Sequence, residues 1–147
     1  MNSALMMYLV CYLVVALTLI VVGSISYNGV KTNISTKDDS FLVKWSVAVV
    51  IFLGCASILV YCFGISQKWM RFNDFIIKFL MLLISHIILD ISAMIIIVKL
   101  NRHVNDVTAF GSYLSGLYLI VSLSIIFQLV GIVYFSIANW YGDYIDD

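Results

Sequence analysis

Apolar residues fall into four long runs separated by short polar stretches. The runs cover about residues 4–25, 44–65, 75–98 and 112–138. Each is long enough to cross a bilayer core as a helix, which takes about 20 apolar residues. No run shows the strict two-residue alternation of a half-buried strand. The pattern predicts an all-α fold: an integral membrane four-helix transmembrane bundle, antiparallel and up-down-up-down, in one domain. Residues 26–43 form the longest connecting loop and residues 139–147 an acidic tail.

The third run, Phe75 to Val98, organises the reading. At ~1.5 Å per residue it spans about 36 Å. His86 lies near its middle, with Asp90 four residues on, so the two share a helix face. Ionisable groups at that depth must face protein or a water-filled cavity. Gln128 is the second strongly polar position inside a run. Ser85, His86, Asp90 and Gln128 therefore form the candidate intramembrane site.

The first run, Ala4 to Ile25, has the small residues of a cleavage site near its end, at Val22 and Ser24. It lacks a basic leader and exceeds the 7–15 residues of a signal core, so a retained span is expected. The following segment contains the turn signal Asn28-Gly29 and a glycosylation tripeptide at Asn33-Ile34-Ser35. In the second run, Lys44 and Trp45 suit an interfacial end. Gly54 and Ser57 are small residues that would admit a neighbouring helix. Ser112 and Gly116 form a small-x-x-x-small pair at the start of the fourth run. Cys55 and Cys62 share a face, and Cys62, near the end of its run, is a candidate for palmitoylation.

Composition points the same way. Of 147 residues, 63% are hydrophobic and 11% charged, against about 25% charged in ordinary soluble domains; mean hydropathy is +1.09. A soluble domain of this size could not bury so much apolar surface. Lipid is therefore the expected solvent, and other membrane proteins or further copies of the chain the expected partners. The zero net charge gives no electrostatic case for nucleic acid. None of the three cysteines lies in a connecting loop, which argues against an extracellular disulfide framework.

Catalysis has little to build on. Ser85 and His86 are sequence neighbours and do not face each other on a helix. No nucleotide fingerprint or zinc-ligand spacing occurs. The expectation is a chain with no cofactor, no metal and no enzymatic activity. His86 and Asp90 then serve either as polar glue between helices or as a proton or cation site in a small oligomeric transporter or channel subunit.

Sidedness rests on Lys and Arg. The first and third loops, with Lys44, hold Lys31, Lys37, Lys44, Lys99 and Arg102, and the middle link holds Lys68, Arg71 and Lys78. Count favours cytoplasmic first and third loops. The close spacing of the middle group, the long first loop and its Asn33 tripeptide favour the reverse. The reading adopted places both termini in the cytoplasm.

The plan resembles that of tetraspan membrane proteins of the claudin-like, MARVEL and lysosome-associated types. Leu59-Val60-Tyr61, Gly64 and Lys68-Trp69 resemble the end of the second span in the lysosome-associated type. The claudin first-loop motif is absent, and without proline there is no proline-tyrosine tail motif. The resemblance implies a membrane-organising, assembly, sorting, junctional or envelope role.

Overall fold

A computed structural model describes residues 3–33, 37–103 and 111–141, with side chains over 3–28, 44–71, 73–99 and 115–140. The described chain is all α. Helix α1 covers Ser3–Asn33, α2 Lys37–Ile65, α3 Phe72–His103 and α4 Gly111–Tyr141. A 3-10 turn, Ser66–Trp69, joins α2 to α3. All four helices are long and apolar enough to cross a membrane.

The helices outrun the apolar runs that seed them. Residues 26–33 continue α1 and residues 37–43 open α2, so most of the expected first loop is helical. Once a helix is nucleated, each further residue adds a hydrogen bond. Gly29 inside it costs only about 1 kcal/mol, and the Asn28-Gly29 turn signal is overridden. Asp74 stands in the first turn of α3, where negative charge complements the helix dipole. That helix starts at Phe72, inside the expected link, and runs on to His103.

Neighbouring helices are antiparallel, and each packs on the ones before and after it in the chain, with α1 and α4 closing the square. The tightest pairing is between α1 and α2. A Cβ on Gly54 would lie 2.5 Å from Ile20 Cγ1 and 3.0 Å from the Ala16 carbonyl oxygen. A Cβ on Gly23 would lie 2.7 Å from Ile51 Cγ1. The absence of side chains at these two positions sets the separation of the helices.

The interior has two apolar halves. One is aliphatic: Leu19 of α1, Val47, Val50 and Leu53 of α2, Ala93 and Ile97 of α3, and Leu117, Ile120 and Val121 of α4. The other lies toward the start of α1 and is aromatic. Tyr8 stacks on Phe127 at 4.7 Å between ring centroids and meets Phe135 edge-on at 5.3 Å. Phe79 packs between Phe75 and Phe135 at 5.1 and 5.4 Å, and Phe75 stacks on Phe63. Rings at these separations contribute about 0.5–1.5 kcal/mol per pair beyond their burial. Tyr8 reaches α4 because Gly131 has no side chain where its hydroxyl lies, and that hydroxyl donates to the Phe127 carbonyl oxygen at 3.2 Å.

Candidate functional site

Between the aliphatic and aromatic halves lies a polar layer supplied by all four helices: Tyr12 from α1, Ser57 from α2, His86 and Asp90 from α3, and Ser124 and Gln128 from α4. Every one of these side chains is buried. His86 is the middle residue of the apolar stretch Asn73–Lys99. Ser57 and Gln128 flank the middles of Lys44–Trp69 and Ser115–Trp140, and Tyr12 lies one turn from the middle of Ser3–Asn28. The layer thus sits at half height.

His86 is its hub. Nε2 lies 2.7 Å from Ser57 Oγ and 3.3 Å from the Leu53 carbonyl oxygen. Ser57 Oγ itself donates to that carbonyl at 2.8 Å. With its hydrogen so used, Ser57 accepts from the ring, which puts a hydrogen on Nε2. On the other side, Nδ1 lies 2.9 Å from the Gln128 amide and 3.4 Å from Asp90 Oδ2. The Gln128 amide also lies 2.6 Å from the Tyr12 hydroxyl. Ser124 Oγ donates to Asp90 Oδ2 at 2.8 Å. The Tyr12 ring stands edge-on to the imidazole at 6.2 Å.

The α3–α4 pairing follows from spacing alone. His86 and Asp90 are separated by one helical turn, as are Ser124 and Gln128. On two antiparallel helices the pairs meet in reverse order, so that His86 faces Gln128 and Asp90 faces Ser124. Two acceptors of this layer remain without a donor, Asp90 Oδ1 and Gln128 Oε1, although both are buried. An unmatched buried polar group costs about 1–3 kcal/mol.

His86, Asp90 and Gln128 come together as their sequence positions suggest. Ser85 does not join them: it is exposed and its hydroxyl donates to the carbonyl of Met81, one turn back, at 2.9 Å. Adjacent helical residues point about 100° apart, so Ser85 cannot share the His86 face. Ser57, expected as a packing residue, is instead a hydrogen-bond partner of His86. Tyr12 and Ser124 complete the layer and were not singled out by the sequence, because tyrosine and serine are unremarkable within apolar runs.

Among the helix-packing positions, Gly54 is a close-approach site and Gly116 is not. A Cβ on Gly116 would make only an ordinary contact, 3.7 Å from Val22. The side chains of Ser112 and Asn33 lie outside the described ones, as do Ile34 and Ser35 of the glycosylation tripeptide. Cys62 is exposed three residues before the end of α2, on the same outward face as the exposed Cys55.

No family model, curated protein or solved structure matches the chain.

Proposed function

We propose that this is a non-enzymatic, multi-pass membrane protein that crosses the bilayer four times, keeps both termini in the cytoplasm, and works through contacts with other membrane proteins or with copies of itself. Membrane organisation, assembly, trafficking, or a junction or envelope component is the corresponding role. The observation that carries this reading is where polarity goes. The six side chains of the half-height layer, Tyr12, Ser57, His86, Asp90, Ser124 and Gln128, turn inward onto one another, one or more from every helix, as a lock that fixes the bundle. The outward faces offer large apolar side chains, among them Leu59, Met81, Ile88, Leu119 and Val133, a surface for lipid or for another span.

Photo-crosslinking from outward positions in native membranes tests this. Probes at Leu59 or Leu119 should capture a defined partner or a second copy, whereas probes at the inward Leu53 or Val121 should capture only the chain itself. Defined products from none of the outward positions would overturn the reading.

A second reading, a small oligomeric transporter or channel subunit using His86 and Asp90, draws support from the two unmatched oxygens, Asp90 Oδ1 and Gln128 Oε1. It predicts a pH-dependent flux in sealed vesicles that disappears in Asp90→Asn and His86→Gln while the bundle stays folded. Vesicles of the parent protein that carry no such flux rule it out.

A further inference from the structure

We propose that the cleft beside the 66–69 turn holds the headgroup of a glycerophospholipid that carries a primary ammonium. The phosphate sits between Arg71 and Lys78, and the ammonium at Asp74.

The cleft lies against the link between α2 and α3 and is lined by Trp69, Met70, Arg71, Asp74, Ile77 and Lys78. Its volume, about 510 Å³, falls within the ~300–1,000 Å³ of small-molecule sites. The spans on either side set its height. The apolar stretch of α2 ends at Trp69 and that of α3 begins at Asn73, so the cleft stands at headgroup level in the proposed membrane setting. Trp69 is exposed there, and its amphipathic ring suits that level. Lys68 Nζ lies over the ring, 4.3 Å from its centre.

Charge and shape together choose the occupant. The lining brings two cations and one carboxylate. Asp74 and Lys78 are four apart on one helix face, the spacing of an ordinary ion pair. Yet among the described residues neither Lys78 nor Arg71 forms an ion pair with Asp74. The three charges are left for a ligand. A simple anion would meet Asp74 as well as the cations and gain little. An aminophospholipid headgroup offers the complementary set. Its phosphodiester matches the guanidinium fork and Lys78. Its ammonium donates to the carboxylate. A choline headgroup has the same charges but no N–H to donate. The apolar side of the cleft selects a lipid over a water-borne phosphate. Ile77 lines the cleft, and Met81, Ile84 and Ile88 carry the same outward face down α3, all of them exposed. An acyl chain lies along that stripe with its headgroup in the cleft. The site rests on the membrane part of the proposed function and not on the choice of protein partner.

Quenching of tryptophan fluorescence by brominated lipids tests it, in phosphatidylcholine vesicles holding a minor share of one brominated phospholipid. Trp45→Phe with Trp140→Phe leaves Trp69 as the reporter. Trp45→Phe with Trp69→Phe leaves Trp140, exposed on α4 and outside the cleft, as the control. Brominated phosphatidylcholine should quench both, which shows insertion. Brominated phosphatidylethanolamine should quench Trp69 as though enriched about threefold over phosphatidylcholine, with no enrichment at Trp140. Phosphatidylglycerol has the phosphate without the ammonium and should rank below phosphatidylethanolamine. Asp74→Asn should reverse that order, because the cations remain and the ammonium loses its partner. Soluble glycerophosphoethanolamine should leave the quenching unchanged. Equal quenching of Trp69 by phosphatidylethanolamine and phosphatidylcholine would overturn the site and leave the membrane reading standing. So would phosphatidylglycerol ranking first in the parent protein, an order unchanged by Asp74→Asn, or displacement by the soluble headgroup. No quenching of either tryptophan by any brominated lipid would overturn both.

Discussion

Single side chains decide how the centre of this bundle is held. Ser57 gives the imidazole its acceptor and Tyr12 ties Gln128 to α1, so each removal cuts one link between helices inside an otherwise intact layer. Hydrogen bonds of this kind between membrane helices average about 0.6 kcal/mol and reach about 1.7. Ser57→Ala and Tyr12→Phe should each lower unfolding free energy in mild detergent by about 0.5–2 kcal/mol, measured by titration with a denaturing detergent. The glycines give a sharper contrast. Gly131→Ala places a methyl group where the Tyr8 hydroxyl lies and should cost about 1–3 kcal/mol through overpacking. Gly116→Ala should be neutral or slightly stabilising, because Val22 leaves room and alanine favours helix. The same titration compares the two, and equal losses would show that the Tyr8 contact does not govern packing there. Legibility at this scale was uneven for a plain reason. Histidine, aspartate and glutamine stand out in an apolar run because each is expensive there, so His86, Asp90 and Gln128 were readable. Serine and tyrosine are inexpensive there, and Ser124 becomes visible only once the turn spacing of Ser124 and Gln128 is matched to that of His86 and Asp90.

At the level of helices, the four runs were readable and their ends were not. Apolar content marks where a helix needs to shed water, whereas helix continuation past Asn28-Gly29 and into Lys37–Val43 depends on propagation rather than on hydropathy. Pairing strength also escaped the sequence. Gly54 was readable as a small residue, but Gly23, which faces Ile51, was not singled out. Nothing in the run alone says that Gly54 meets the Ala16 carbonyl and the Ile20 backbone nitrogen as well as the Ile20 side chain. That matters, because backbone cannot move aside. Gly54→Ala should push α1 away from α2 and cost about 1–3 kcal/mol. The loss should appear as faster cross-linking to an external probe at Ile20 or as a lower thermal midpoint in detergent. An unchanged midpoint would mean that the two helices have slack between them.

For the molecule as a whole, an up-down square of four helices puts the start of α1, the 66–69 turn and the end of α4 at one end of the bundle. In the proposed membrane setting this end is the cytoplasmic one. With Cys11, Cys55 and Cys62 replaced by serine or alanine, single cysteines at Ser3, Lys68 and Asn139 should all react with an impermeant thiol reagent only after the membrane is opened. A cysteine at Lys37 should react in intact cells. The opposite pattern would reverse the sidedness and leave the bundle unchanged. The half-height layer also bears on how the chain is made. Emerging from the ribosome, α1 and α2 carry at their centres little that hydrocarbon rejects. The third helix brings Asp90, a burden of about 3 kcal/mol at the centre of an isolated span, and the aspartate's hydroxyl partner, Ser124, has yet to be translated. Ser57, already in place, is there to receive the imidazole. The newborn third helix therefore has reason to linger beside its predecessors at the translocation channel until the fourth arrives.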